Sequence, residues 1–256
     1  LEQELPLIDD EKKTAAIIAD KARIAGREHR VICTSFYDPA AARIVEQILS
    51  GLDGIGYDRC GGYPDAERVL FVLYPRYMDR PSVSFLQALK IQWNPQFYHI
   101  DHRDILGSLI GSGIKREKIG DIRMDEGFAY AFVSSELAPY LVANFHRAGK
   151  APVSVRAISG EEVVLPVPDM KTIRTTVASP RLDSILGACF GLSRTKAIPY
   201  IKNGNVRVNW DIVQKPDYML APGDILSVRG LGRGKIREFG GTTKKDRLFV
   251  ILEKYI

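Results

Sequence analysis

The chain has 256 residues, 45% of them apolar and 26% charged, with a formal net charge of +5; this length suits two or three globular domains, each with its own core. No apolar run approaches the ~20 residues that span a bilayer, and the opening Leu-Glu-Gln-Glu-Leu-Pro has neither the basic nor the apolar region of a secretory signal. Cys33, Cys60 and Cys189 are odd in number and far apart with no C-x-x-C pair, which argues against a disulfide scaffold or cysteine zinc site and fits a reducing, cytoplasmic setting.

The first segment, residues 1–81, is expected to be a small α/β unit. Ala15, Ala16, Ile17, Ala19, Ala22 and Ile24 recur among Lys, Asp and Arg, which predicts a helix ending near Gly26. Residues 31–36 read as a strand. Asp38-Pro39 then caps and opens a helix to Leu49, after which Gly51, Gly54 and Gly56 break the pattern. Residues 68–74 read as a buried strand closing at Pro75.

In the second segment, residues 82–159, the predicted order is strand 85–93, helix 103–110, strands 119–124 and 128–133, helix 137–148 and strand 152–158. This β-α-β-β-α-β order is the ferredoxin-like arrangement that RNA-recognition motifs share. Phe128, Tyr130 and Phe132 alternate with small apolar residues. On a solvent-facing side they form a stacking platform for bases; facing the helices, they are core. Glu126 precedes Gly127 where an RNA-recognition strand usually has Lys or Arg. Residues 160–176, with Pro166 and Pro168 around Val167, read as a linker.

Charge sets the third segment, residues 177–256, apart. Residues 171–256 hold 16 Lys and Arg against 7 Asp and Glu, a net of +9, whereas residues 1–170 hold 20 against 24, a net of −4. Such a concentration is the footprint of a polyanion binder or, more blandly, a solvated basic face. Ser179-Pro180 predicts a helix start, Leu182, Ile185, Leu186 and Cys189 its apolar face, and Gly191 its end. Ser193 opens a second helix that ends at Asn203-Gly204, with Pro199 expected to kink it. Strands are predicted at 206–209 and 225–229, a basic loop at 230–235 and a last strand at 247–252.

Arg181-Leu182-Asp183, Ser193-Arg194-Thr195-Lys196-Ala197, Gly204-x-Val206-x-Val208-Asn209, Gly223-Asp224 and Val228-Arg229-Gly230 together resemble the S-four RNA-binding domain. The resemblance implies an alpha-L motif, two short helices packed on a small sheet and gripping an RNA backbone. The residues support it. Ser193 and the amides after it lie at a helix N-terminus, which favours a phosphate. Arg194 and Lys196 flank Thr195 within reach of neighbouring phosphates. Lys202, Arg207, Lys215, Arg229, Arg233 and Lys235 extend the track, and Arg181 and Asn209 complete the candidate RNA-binding set. Asp183 is expected to be a cap or a partner for an arginine.

Over nearly the whole chain the sequence resembles the bacterial YlmH family. The runs are Gly61-Gly62-Tyr63-Pro64-x-Ala66-Glu67-Arg68, His102-Arg103-Asp104-Ile105-Leu106-Gly107-Ser108-Leu109 and Gly113-Ile114-Lys115-Arg116-Glu117-Lys118-Ile119-Gly120-Asp121-Ile122. This resemblance implies a non-catalytic factor with rRNA, tRNA and the large ribosomal subunit as partners, acting on stalled subunits that carry peptidyl-tRNA. It implies no cofactor, no DNA and no membrane. A photosystem-linked branch in phototrophs also suits Val206-Arg207-Val208-Asn209-Trp210. The competing function is an RNA-modifying enzyme, of pseudouridine synthase or rRNA methyltransferase type, that docks through this domain. The preceding segments lack the Gly-rich strand-to-helix turn of a methyl-donor site.

His99-x-Asp101-His102-Arg103-Asp104 supplies ligand and acid–base residue types, but no second segment completes a metal set. Asp101 is expected to cap a helix there, with Arg103 at the surface. Residues 107–120 are rich in Gly, Lys and Arg without matching a P-loop. Arg103, Lys115, Arg116 and Lys118 are therefore additional candidates for RNA contact; no catalytic residue or metal ligand is assigned.

Overall fold

The computed structural model describes residues 9–79, 81, 84–165 and 169–255. The chain divides into two compact units, Leu1–Pro166 and Val167–Ile256, so the first two sequence segments share one unit. The opening six residues, Ser82 and the Pro166-Val167-Pro168 run of the expected linker lie outside the described residues.

The first unit begins with α1 (Asp9–Glu28), β1 (Ile32–Cys33), α2 (Pro39–Ser50), β2 (Ile55–Cys60) and β3 (Leu70–Pro75). The strands form an antiparallel sheet in the order β1-β3-β2. Asp38 caps α2 as expected, its carboxylate accepting from the Ala41 amide at 2.9 Å. Phe71 and Leu73 of β3 pack with Ile18, Ala22, Val45 and Leu49 of the helices. Leu70 and Val72 alternate to the other side and pack with Phe36. Both faces of β3 are thus buried, the reason for its unbroken apolar run. Strand β2 carried no alternation to betray it; Gly56 lies where an added Cβ would stand 2.6 Å from the Tyr74 ring.

The unit continues with β4 (Leu86–Gln92), α3 (His102–Gly111), β5 (Ile119–Asp125), β6 (Phe128–Ser134), α4 (Ala138–Asn144), β7 (Arg147–Ala148), β8 (Ala151–Pro152) and β9 (Ser154–Ile158). Strand order is β5-β6-β4-β9, all neighbours antiparallel, which is the ferredoxin-like sheet the sequence predicts. The helix expected to reach residue 148 stops at Asn144, and Gly149, at φ +57°, turns the chain into the small β7–β8 hairpin. Leu89, Ile91, Ala129, Ala131 and Val133 on one sheet face pack with Ile105 and Leu109 of α3 and Leu141 of α4.

The second unit comprises β10 (Met170–Val177), α5 (Leu182–Phe190), α6 (Arg194–Lys202), β11 (Val206–Val208), β12 (Asp211–Ile212), β13 (Ile225–Val228), β14 (Gly232–Thr242) and β15 (Leu248–Tyr255). Its antiparallel sheet runs β10-β15-β14-β13-β11-β12, with α5 and α6 on one face over Val206, Leu226, Ile236, Val250 and Leu252. Part of the expected linker is therefore strand: β10 pairs with β15 along its whole length and turns Ile173 and Val177 toward the helices. The expected basic loop is likewise mostly β14, whose Gly234 passes beneath α5 where a Cβ would stand 2.3 Å from Cys189 Sγ. Helix α5 starts at Leu182, later than Ser179 suggested. Arg181 stays extended, since the Leu220 amide donates to the Pro180 carbonyl (2.9 Å) and the Leu182 and Asp183 amides donate to the Tyr218 (2.8 Å) and Pro216 (3.0 Å) carbonyls. Pro199 does not end α6, which runs on to Lys202, and the Asn203 amide donates back to the Pro199 carbonyl at 3.0 Å.

Candidate RNA interface

The centre of the helical side is an acid. Asp183 lies in the first turn of α5 with its side chain 1% exposed, and two arginines converge on it. Arg181 reaches its Oδ2 from the extended segment before α5 at 3.1 Å, and Arg194, first residue of α6, does so at 2.9 Å. Burial opposes ionisation of Asp183, but the two guanidinium groups outweigh it and hold the carboxyl below the usual carboxylate range. Ser193 caps α6 as expected, its hydroxyl accepting from the Lys196 amide at 3.3 Å. Ser193, Arg194, Thr195 and Lys196 are all exposed around this helix start. The buried carboxylate thus fixes two guanidinium groups beside the positive end of a helix dipole, with Lys196 in the same turn.

The remaining candidates do not all join that cluster. Lys202 is exposed at the end of α6, its carbonyl accepting from Gln214 Nε2 at 3.1 Å. Lys215 and Arg229 are exposed in loops. Arg207, Arg233 and Lys235 project from the sheet: Arg207 pairs with Ser227, which pairs with Arg233, and Lys235 pairs with Ile225 and Glu253. These positions alternate with the buried Val206, Val208, Gly234 and Ile236, so they occupy the face opposite α5 and α6. Asn209 serves the fold. At φ +49° it forms the β11–β12 turn with Trp210, its amide donates to Asp224 at 2.8 Å, and its oxygen accepts from the Ile225 amide at 3.0 Å.

In the first unit Arg103 and Lys115 are exposed. Asp101 caps α3, accepting from the Arg103 and Asp104 amides at 2.7 and 2.9 Å, while the Asp104 carboxylate accepts from the Asp101 amide at 3.0 Å. Lys118 is paired with Glu136 at 2.6 Å. Arg116 is committed inward: half-buried, it donates to the Ile119 carbonyl, and burial followed by the nearby Arg68 charge brings its pKa down to about 10. Desolvation pushes the pKa of the half-buried Cys33 thiol up to about 12 and that of the buried Cys189 thiol up to about 11, which keeps both protonated at neutral pH.

The aromatic strand resolves into a third arrangement. Phe128, Tyr130 and Phe132 point away from the helices, as a stacking platform would, yet Tyr130 and Phe132 are buried. Tyr63 covers Phe132 with ring centroids 5.1 Å apart, and Leu86, Val163 and Leu165 pack around them. Asp121 locks this cover. Its carboxylate accepts from the Tyr63 hydroxyl (2.6 Å) and from the Glu67 (2.8 Å) and Arg68 (3.1 Å) amides. The Arg68 guanidinium adds bonds to the Ile119 (3.0 Å) and Phe36 (3.1 Å) carbonyls. Gly62, at φ +92°, sits where a Cβ would be 2.3 Å from the Phe132 ring. The runs 61–68 and 113–122, conspicuous in the sequence, therefore meet as a clasp between the N-terminal sheet and the middle sheet. Phe128, at the open end, is half-buried, with Lys90 Nζ 4.1 Å from its ring centre.

Comparison with known proteins matches three family models in chain order: "YlmH, N-terminal" over residues 10–78, "Putative RNA-binding domain in YlmH" over 84–162 and "S4 domain" over 180–226. A Bacillus subtilis (strain 168) protein named "Ribosome-associated protein quality control protein P2" is 37% identical over 233 residues, covering 91% of this chain and 90% of that protein. A solved structure, "Cell division protein ylmH from Streptococcus pneumoniae", aligns with a TM-score of 0.52 at 21% identity over 63% of this chain and 98% of that one, a likeness of fold. With three domains in family order and a relative aligned along nearly its full length, the chain belongs to the YlmH family.

Proposed function

We propose that this chain is a non-catalytic factor that holds structured RNA of the large ribosomal subunit and acts where that subunit still carries peptidyl-tRNA. The observation that carries the reading is the pair of arginines fixed on buried Asp183 beside the Ser193 helix start, inside the matched S4 domain. The arrangement presents preset donors to successive phosphates without using a base edge, which suits recognition of a folded backbone. The name of the Bacillus subtilis relative supports a ribosomal setting. The non-catalytic part rests on how the acids are used: Asp101 and Asp104 cap α3, Asp121 locks the clasp and Asp183 orients arginines.

The test is binding of the full chain to rRNA stem-loops across a salt series. Arg194→Ala with Lys196→Ala is expected to weaken binding and to flatten the log–log salt slope by roughly 1.5 for two lost phosphate contacts. Unchanged affinity and slope in the folded double variant would remove the start of α6 from the interface. Isotopic assays for methyl transfer and pseudouridine formation on rRNA should stay at background; turnover would favour an RNA-modifying enzyme.

A further inference from the structure

The far end of the C-terminal sheet carries a second arrangement, outside residues 180–226 matched by the S4 domain. β13 pairs with β14 only as far as Lys235, and beyond that point the sheet continues as β10, β15 and β14. On the face opposite α5 and α6, Phe249 of β15 is 49% exposed and stands in register with Thr176 of β10. Its other flank is Gly240-Gly241 of β14, where a Cβ on Gly240 would lie 3.1 Å from Phe249 Cβ. The ring is therefore bordered by bare glycine backbone on one side and a small hydroxyl residue on the other.

Cations lie on the adjoining strand and turn. Arg174 is exposed two pairs along β10, opposite Ile251 and on the same face. Arg247 donates to the Thr176 hydroxyl at 3.0 Å and carbonyl at 2.6 Å, which places its guanidinium beside the cross-strand partner of Phe249. The β14–β15 turn adds exposed Lys244 and Lys245. Against these four stand Asp246 in the turn and Glu238, which pairs with Ile251. An open aromatic ring with a net excess of cations on the adjoining strand and turn matches unpaired RNA, in which a base face stacks and the flanking phosphates meet cations. An apolar protein partner would leave those charges buried and unpaired.

We propose that this end of the sheet binds an unpaired stretch of RNA, with one base stacked on Phe249 and its flanking phosphates held by Arg174, Lys244 and Lys245. Arg247 is a positioning residue that ties β10 to the turn. The proposal rests on the reading of the chain as an RNA binder and gives that reading a second contact, for single-stranded rather than folded RNA.

The test measures fluorescence anisotropy of the full chain with two probes, a short oligouridylate and an rRNA stem-loop. Phe249→Ala should weaken oligouridylate binding about tenfold, the scale of one lost base stack, and leave stem-loop binding within twofold. Phe249→Tyr should retain both, and Lys244→Ala with Lys245→Ala should flatten the salt dependence of the oligouridylate alone. Arg194→Ala with Lys196→Ala should show the opposite preference. Parent-like oligouridylate binding by Phe249→Ala would overturn the proposal, as would a parent chain that binds the stem-loop but not the oligouridylate. Failure of the parent to bind either probe would overturn the RNA-binding reading and this proposal with it.

Discussion

Asp183 connects stability to recognition at the scale of one residue. Its carboxylate is buried, its hydrogen bonds come from Arg181, Arg194 and the Ser184 hydroxyl, and the two arginines keep their outer edges toward solvent. Asp183→Asn keeps the shape but removes the charge, so both guanidinium groups lose their anchor. The expected cost is about 1–3 kcal/mol in urea unfolding, together with weaker stem-loop binding although no RNA-facing group has been deleted. The pH dependence has a definite sign. A carboxyl held below its unfolded value, about 3.9, contributes its full stability above that value and loses it as pH falls through the lower folded value. Wild-type stability should therefore drop more steeply than that of Asp183→Asn below about pH 4. Parallel acid profiles would show that the carboxylate is not held by the arginines in solution. The pairing itself was only half legible. Arg181, Asp183 and Arg194 stood out in the motif, but their meeting depends on the turn at Gly191, at φ +68°, which brings α6 back beside the start of α5.

Among the elements, the clasp has the clearest consequences. Asp121→Ala removes acceptors from the Tyr63 hydroxyl and two backbone amides, with an expected loss of about 2–4 kcal/mol. Hydrogen exchange should then rise along β6 and in residues 61–68 together; a rise confined to the 61–68 loop would show that the sheet face does not depend on the clasp. Gly62→Ala attacks the same junction by another route, because its φ of +92° and the 2.3 Å approach to Phe132 leave no room for a methyl group. The elements of the middle domain were legible because apolar periodicity reports which side of a strand is greasy. Periodicity does not report what covers that side. Phe128, Tyr130 and Phe132 alternate as a platform should, and only the folded position of Tyr63 and Leu165 shows that most of it is closed. Strands β10 and β14 were missed for a related reason. Thr172, Arg174 and Thr176 look like linker residues until β15, more than seventy residues on, pairs with them, and Gly234 and Gly240 of β14 are required by the close approach of Cys189 and Phe249 rather than by a turn.

For the whole molecule, charge and architecture divide at the same place. Residues 1–170 carry a net charge of −4 and residues 171–256 a net of +9, and the two compact units separate at residue 166. An acidic unit repels a polyanion at long range while a basic one attracts it, so electrostatics alone presents the C-terminal unit to RNA first. The first unit has most of the aromatic face of its middle sheet covered by the clasp. Arg103 and Lys115 remain its exposed cations among the residues singled out by sequence. No helix among the described residues is long and apolar enough to cross a membrane.

The proposed recognition of a large ribosomal subunit bearing peptidyl-tRNA can be tested on purified particles. The most direct measurement is co-sedimentation of the purified chain with small subunits, vacant large subunits and large subunits carrying peptidyl-tRNA at near-physiological salt. Preferential pelleting with the tRNA-bearing large subunit is expected, reduced by Arg194→Ala with Lys196→Ala and by Asp183→Asn. Equal pelleting with all three particles, or with none, would contradict it.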